Sequence, residues 1–143
     1  MGQNRKILIC GLPGTGKTTL AKQLVVQLSE HNKNVWWLNA DIVRTIYNDW
    51  DFTPEGRIRQ AVRMKELAEI QNADFVICDF VAPTEEIRSI FGADYTIWMN
   101  TENTSQYEDT NKMFEQPKSS DFTVLSKDDN IVPIIAQDIL QRL

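Results

Sequence analysis

The chain has little of what several common functional classes require. It has two cysteines and one histidine in 143 residues. No apolar run approaches the roughly 18 residues of a membrane-spanning helix, so we expect no membrane segment. Cys10 and Cys78 each close a predicted strand, which favours buried, reduced thiols over a disulfide framework. His31, near a helix end, indicates no chemistry of its own.

Basic residues are scarce in the second half of the chain. Residues 1–71 carry 10 Lys/Arg against 7 Asp/Glu, whereas residues 72–143 carry 5 against 13. No extended basic stripe marks a nucleic-acid surface, so we expect anion binding in the first half and no general affinity for DNA. The first six residues lead directly into a strand and show no signal peptide, which predicts a cytoplasmic protein. A homodimer is compatible with these features.

Glycine is also sparse, yet three of the six glycines lie in one motif. The segment from Gly11 to Thr18, GLPGTGKT, fits the pattern G-x-x-x-x-G-K-[ST]. An Ile/Leu-rich strand-like run precedes it, and leucines at helical spacing (Leu20, Leu24 and Leu28) follow it. Strand, glycine loop and helix in this order predict a phosphate-binding loop, or P-loop, for a nucleoside triphosphate.

Each residue type in the P-loop has a physical task. Glycines let successive N–H groups approach the phosphates, and the new helix presents its positive end to the same anions. We expect Lys17 to reach the β and γ phosphates and the Thr18 hydroxyl to hold Mg²⁺. The predicted ATP-binding residues are Gly11, Leu12, Pro13, Gly14, Thr15, Gly16, Lys17, Thr18 and Thr19.

Strand-like and helix-like runs alternate along the whole chain. The predicted strands are 6–10, 35–39, 75–78, 94–99 and 122–125, and the predicted helices are 19–30, 42–47, 54–71, 84–91 and 131–143. This alternation predicts an α/β fold, with a five-stranded parallel sheet covered by helices on both faces, in one domain over residues 1–143. The polar stretch 101–120 has weak periodicity and is interpreted as a mobile lid.

A second motif indicates a site for a phosphoryl acceptor after the second strand. Asp41 and Arg44 follow the apolar run VWWLN, at a strand end where ligands bind in open α/β sheets. A carboxylate there can take the proton of an attacking hydroxyl, and an arginine can bind an anionic acceptor. Alternatively, Asp41 merely caps the helix that begins at Ile42. Asp79 ends the third strand and is expected to hold the Mg²⁺ shell together with Thr18.

Together, four strings resemble the adenylylsulfate kinase family: GLPGTGKTT from Gly11, NADIVR from Asn39, FTPEGR from Phe52, and VAP from Val81 with Arg88. The resemblance covers about the first 90 residues. It implies a P-loop kinase fold that binds MgATP and phosphorylates the 3′-hydroxyl of adenosine 5′-phosphosulfate. By the same resemblance Asp41 would serve the acceptor hydroxyl. The remaining acceptor-binding residues that it implies are Arg44 and Arg57 for the phosphosulfate, Phe52 for the adenine, and Gln60, Val81 and Ala82 beside them.

The chain departs from the family pattern at several positions. Asn39, Gln60 and Ala82 stand where the family has aspartate, asparagine and serine. The family's lid reads Arg-Asp-x-Lys-Gly-x-Tyr, whereas residues 108–114 read EDTNKMF and contain no arginine. A lid supplies cations to the transferring phosphoryl group, so Lys112 in the lid, beside Phe114, or Arg88 would have to compensate, or transfer would be slow.

Arg59 and Arg63 share a helix face and are interpreted as a solvated surface. A switch GTPase is not indicated, since no N-K-x-D segment is present to read guanine.

Two other functions remain open from the sequence. Asp-x-x-Arg after the second strand also resembles the acceptor motif of polynucleotide 5′-hydroxyl kinases and nucleoside kinases, which would keep the chemistry and change the acceptor. The altered lid is also compatible with a nucleotide-binding module that no longer transfers phosphate.

Overall fold

The computed structural model describes residues 3–143 and contains a five-stranded parallel sheet. The strands are β1 (Arg5–Cys10), β2 (Val35–Asn39), β3 (Phe75–Asp79), β4 (Tyr95–Met99) and β5 (Phe122–Val124). Their order across the sheet is β2-β3-β1-β4-β5, and every neighbouring pair is parallel. The prediction that the first six residues are not a signal peptide also concerns Met1 and Gly2, which lie outside the described residues.

Helices follow the strands in alternation, as parallel connections require. They are α1 (Lys17–Ser29), α2 (Ala40–Tyr47), α3 (Pro54–Glu69), α4 (Glu85–Phe91), α5 (Glu108–Met113) and α6 (Val132–Arg142), with a short 3₁₀ turn at Asp129–Ile131. Within residues 3–143, no helix has both the length and the apolar content that crossing a membrane requires.

The two faces of the sheet bury two separate apolar clusters. Along β1, Ile7 and Ile9 join the cluster that includes residues of α1 and α6, while Leu8 and Cys10 join the cluster that includes residues of α2, α3 and α4. This alternation follows from the two-residue period of a strand. A continuous apolar strand therefore serves two helical layers, which confirms the predicted three-layer α/β fold.

The predicted elements are correct in type, and their ends differ by a few residues. The sequence prediction missed α5, which lies inside the stretch interpreted as a mobile lid. This helix is only six residues long, and Thr110 is its one buried residue. Because α5 has no apolar face, the sequence shows no helical periodicity of apolar residues there.

Strand register brings polar residues together at the carboxyl edge of the sheet. Asn39 of β2 and Ile9 of β1 both pair with Asp79 of β3. The P-loop begins just beyond this edge, where the Gly11 N–H donates to the Val81 carbonyl at 3.3 Å. The ends of three adjacent strands thus meet at one place.

Both cysteines are buried and unpaired, as the sequence predicts. Burial raises the pKa of the Cys10 thiol to about 12 and also raises the pKa of the Cys78 thiol. Neither thiol is therefore nucleophilic near neutral pH.

Candidate active site

One cavity of about 1490 Å³ opens at the carboxyl edge of the sheet. It is bounded by the P-loop, by the start of α2, by the chain leading into α3, and by the lid stretch. Its lining includes Gly14, Gly16, Lys17, Thr18, Thr19, Asp41, Arg44, Phe52, Arg57, Gln60, Asp79, Val81, Ala82, Tyr107, Thr110 and Lys127. Most of the predicted site residues therefore share one space.

The P-loop has the backbone geometry of an anion cradle. Gly14 and Gly16 have positive φ values of 82° and 97°, and Gly16 is the N-cap of α1. At Gly11 an added Cβ would lie 2.7 Å from the Met99 carbonyl oxygen, so only glycine fits there. The Thr15 hydroxyl donates to the Leu12 carbonyl at 2.7 Å and holds the loop closed on itself. Free amides at the start of α1 thus face the cavity in a fixed arrangement.

Lys17 lies within this cradle. Its Nζ donates to the Leu12 carbonyl at 2.9 Å. Burial lowers the pKa of this ammonium to about 8, with the nearby Asp79 carboxylate acting in the opposite direction. The ammonium is therefore mostly charged at neutral pH. Its hydrogen bond is weak for a charged donor, because its one protein acceptor is a neutral carbonyl. A phosphate oxygen would be a stronger partner.

Asp79 lies beside Thr18, as expected of a magnesium pair. The Thr18 hydroxyl donates to Asp79 Oδ2 at 3.0 Å, and the Trp37 indole N–H donates to Oδ1 at 2.8 Å. Asn39 Nδ2 adds a contact to Oδ2 at 3.1 Å. Burial raises the pKa of the Asp79 carboxyl, and these hydrogen bonds oppose the shift.

This donor set fits Mg²⁺ of the P-loop kind. Such an ion keeps several waters and needs only one or two protein oxygens together with phosphate oxygens. A hydroxyl and a single carboxylate supply those oxygens here. In residues 3–143, no cluster of three or more His, Cys, Asp or Glu forms a separate protein cage for a metal.

The helix-capping interpretation of Asp41 is wrong. Asn39 caps α2 instead, because its Oδ1 accepts the Ile42 N–H at 3.0 Å. Asp41 lies in the first turn of α2, where the helix dipole favours a carboxylate, and its exposed side chain lines the cavity. The residue is therefore available to a ligand.

Arg44 and Arg57 meet around the Phe52 ring. Their guanidinium carbons lie 4.3 Å and 5.2 Å from the ring centroid, and both side chains are buried. Arg44 donates to two carbonyls of the 49–51 loop, whereas Arg57 donates to the Phe52 carbonyl and to the Thr110 hydroxyl. Burial lowers the pKa of both groups, yet each keeps N–H donors that the protein does not use.

The other predicted acceptor-site residues line the same cavity. Gln60 is buried and donates to the Ala40 carbonyl at 3.1 Å, which joins α3 to the start of α2. Val81 and Ala82 follow β3, and Ala82 adopts a positive φ of 45°, an uncommon conformation for a residue with a Cβ. The Ala82 carbonyl accepts from Arg88 at 2.7 Å, which fixes this turn.

Two residues of the lid that the sequence singles out, Lys112 and Phe114, do not line the cavity. Lys112 is exposed, and neither it nor Phe114, which follows the end of α5, is among the lining residues. Arg88 also lies outside the lining and is buried, with one of its nitrogens donating to the Glu115 carbonyl at 2.7 Å. Compensation for the missing lid arginine by Lys112 or Arg88 stays a prediction.

The surface interpretation of Arg59 and Arg63 is half correct. Arg59 has a side chain that is 47% exposed and pairs with Asp49 at 2.7 Å. Arg63 is only 14% exposed, because it pairs with the same carboxylate and covers the Tyr47 ring at 4.4 Å. These contacts hold α3 against the 49–51 loop.

Sequence reasoning missed one cation that lines the cavity. Lys127 follows β5, and its Nζ donates to the Gly14 carbonyl of the P-loop at 2.9 Å. The one available signal is its place just after a strand, at the carboxyl edge of the sheet. That position is 110 residues from Lys17 in sequence, so no local motif links them.

Comparison with solved structures defines the class as a P-loop kinase fold. An APS kinase from Mycobacterium tuberculosis, solved with AMPPNP and APS, superposes with a TM-score of 0.80 at 17% identity and covers 99% of this chain and 98% of that one. The family model for adenylylsulphate kinase matches residues 3–97. The chain belongs to the adenylylsulfate kinase family.

Curated relatives match over the first part of the chain. A probable adenylyl-sulfate kinase from Aeropyrum pernix is 36% identical over 87 residues, which is 59% of this chain and 48% of that protein. A cytidine diphosphoramidate kinase from Campylobacter jejuni is 33% identical over 66 residues, 46% of this chain and 39% of that protein. The matched segment thus spans half or less of these relatives.

Proposed function

We propose that this chain transfers the γ-phosphoryl group of ATP to an alcohol hydroxyl, with the 3′-hydroxyl of adenosine 5′-phosphosulfate as the leading acceptor. One observation carries the proposal: the P-loop and the group formed by Asp41, Arg44, Phe52 and Arg57 line the same cavity. A donor nucleotide and a planar anionic acceptor can therefore meet in one cavity. Family membership supports the choice of acceptor.

On the donor side, the P-loop amides and Lys17 would bind the triphosphate. The Lys17 ammonium would exchange the Leu12 carbonyl for phosphate oxygens, where charge develops during transfer. Thr18 and Asp79 would hold Mg²⁺, which neutralises phosphate charge when bound. Trp37 and Asn39 keep the Asp79 carboxylate oriented toward Thr18.

On the acceptor side, Asp41 would accept the hydroxyl proton as the acceptor oxygen forms its bond to the γ-phosphorus. The bond between that phosphorus and the bridging oxygen breaks, and ADP leaves with the electron pair. Arg44 and Arg57 would use their remaining N–H donors on the acceptor anion. Most of the rate enhancement would come from positioning and charge, as in other phosphoryl transfers.

A second acceptor class is favoured by two observations. Glu108 lines the cavity at the position where the family pattern has an arginine, which replaces a cation by a carboxylate near the acceptor. The likeness to a cytidine diphosphoramidate kinase supports a different nucleotide as acceptor. The chemistry at Asp41 would be unchanged.

The proposal includes a single domain with residues 101–120 as its lid. It also includes a cytoplasmic location, which two unpaired buried thiols support. Whether the protein forms a homodimer is decided by light scattering on the purified chain.

An acceptor panel tests the function. The protein is incubated with MgATP and, separately, adenosine phosphosulfate, cytidine diphosphate derivatives and a 5′-hydroxyl oligonucleotide, and products are identified by mass spectrometry. We expect adenosine phosphosulfate to gain one phosphoryl group with an equal yield of ADP. Turnover of another nucleotide alone would replace the acceptor, and ATP binding with no product from any acceptor would favour a binding module.

A further inference from the structure

The cavity contains four cationic side chains, and they are unevenly distributed. Arg44 and Arg57 lie around Phe52 on the acceptor side, and Lys17 lies within the P-loop. Lys127 is the fourth and contacts the loop at the Gly14 carbonyl. The lid supplies none among its lining residues. Any second cation for the triphosphate must therefore come from Lys127 or from the acceptor side.

The Lys127 side chain runs along the P-loop. Its Nζ lies 2.9 Å from the Gly14 carbonyl oxygen. Its Cε and Cγ lie 3.5 Å and 3.8 Å from the point that a Cβ on Gly16 would occupy. The side chain thus spans the two glycines on either side of Thr15, which is the part of the cradle that faces the phosphates.

This ammonium lacks an acidic partner among the described residues. No carboxylate of residues 3–143 lies within 4.0 Å of its Nζ, and its one hydrogen bond goes to a neutral carbonyl. The two following acids are engaged elsewhere. Asp128 accepts the Asn130 N–H at 3.0 Å, and Asp129 accepts from Gln23 of α1 at 2.9 Å. These contacts anchor the backbone of the loop while leaving the lysine charge available.

We propose that Lys127 binds the β or γ phosphate of the triphosphate and takes the place of the missing lid cation. The inference rests on the proposed function, because it requires a triphosphate in the P-loop. On binding, Nζ would exchange the Gly14 carbonyl for a phosphate oxygen. A hydrogen bond between two charged groups is stronger than one to a neutral carbonyl, so the exchange favours the bound state.

Calorimetric titration tests this role. MgATP and AMP are titrated into the wild-type protein and the Lys127→Ala, Lys127→Arg and Lys33→Ala variants. Lys33 is an exposed lysine between α1 and β2, at the opposite end of α1 from the P-loop, so its removal changes net charge equally. We expect Lys127→Ala to weaken MgATP binding by about tenfold, equivalent to about 1.4 kcal/mol, with AMP affected less than about twofold.

The other variants separate charge from shape. Lys127→Arg should recover most of the lost affinity, and Lys33→Ala should match the wild type. The deficit of Lys127→Ala should shrink at high salt, because an exposed cation is screened. A thermal melt of each variant confirms that it is folded, and Lys127→Gln replaces Lys127→Ala if the latter is not.

Two results would overturn the proposal. In the first, Lys127→Ala binds MgATP as tightly as the wild type. In the second, ATP and AMP weaken equally, which would assign the residue to the base or to loop shape. A wild-type protein that binds no MgATP would instead refute the proposed function itself, and the two failures are therefore distinguishable.

Discussion

The donor half and the acceptor half of the cavity are built in different ways. The donor half is mostly main chain: glycines at positive φ and amides at the start of α1, held by short local contacts such as Thr15 to Leu12. The acceptor half is mostly side chain, and Arg44 and Arg57 take their positions from the 49–51 loop and from the lid. The difference teaches that the backbone of the P-loop is set by contacts close in sequence, whereas on the acceptor side Arg57 also depends on a lid residue 53 positions away.

Removing the acceptor-side carboxylate should have the largest effect. We expect Asp41→Asn to lower kcat by about 10²- to 10⁴-fold, because it abolishes proton acceptance while preserving size. MgATP affinity should stay within about twofold, since Asp41 does not belong to the P-loop. Single-turnover kinetics with the best acceptor measures the first quantity, and calorimetry measures the second. An unchanged kcat would remove Asp41 from the chemistry.

The donor half should respond to pH through Lys17. The pKa of this group is lowered to about 8 in the free protein from an ordinary value of 10.5. A bound triphosphate needs the charged form, so MgATP affinity should fall about tenfold between pH 7 and pH 9. Titration in buffers of different ionisation heats should show proton uptake on binding in this range. A flat profile would contradict the assignment.

The lowered pKa of Lys17 also affects the stability of the free protein, and there the effect of raising the pH is opposite to its effect on MgATP affinity. Between about pH 8 and 10.5 the unfolded chain binds more protons at Lys17 than the folded chain does. The contribution of this group to the free energy of unfolding therefore rises with pH in that window. Lys17→Ala should lose this rise, which denaturant titrations at pH 7.5 and 10 would reveal.

A mutation in the acceptor half should leave the donor half intact. At Gly56 an added Cβ would lie 2.2 Å from the Asp51 carbonyl oxygen and 2.4 Å from its Cγ. Gly56→Ala should therefore displace the 49–51 loop that Arg44 holds, and raise the acceptor KM by about tenfold at a stability cost of about 1–3 kcal/mol. Steady-state kinetics and thermal melts check this. If MgATP affinity fell equally, the two halves would not be independent.

The link between the lid and α3 should give the smallest effect. Thr110→Val removes the acceptor of the 2.7 Å bond from Arg57 and leaves part of a buried guanidinium unpaired. We expect a loss of about 1–3 kcal/mol in stability and a rise of a few fold in acceptor KM. Thr110→Ser keeps the hydroxyl and should behave as the wild type. Equal behaviour of the valine and serine variants would show that the bond contributes nothing.

The donor half was the more predictable half because its determinants are contiguous. A nine-residue segment with its flanking strand and helix specifies the backbone of the P-loop, and alternating apolar runs specify the three-layer fold. Asp41 and Arg44 were predictable as cavity residues because they follow a strand end. Asn39 caps α2 instead of Asp41. The helix starts at Ala40, so the side chain that accepts from its first free N–H groups must lie one residue earlier.

The lid and the far end of the sheet were not predictable in the same way. α5 has no apolar face to read, and one of the hydrogen bonds that hold it joins Thr110 to Arg57, 53 residues away. Lys127 reaches the P-loop only because β5 lies beside β4 in the sheet, on the same side of β1. Such contacts depend on the order of strands in the sheet, and no local sequence motif predicts them.

The most direct test of the account is a calorimetric titration of MgATP into the wild-type protein and the Lys17→Ala variant at pH 7. The account predicts binding at one site in the wild type and a loss of most of that affinity in the variant, with unchanged secondary structure by circular dichroism. No heat of association with ATP or GTP, or equal binding by both proteins, would contradict it.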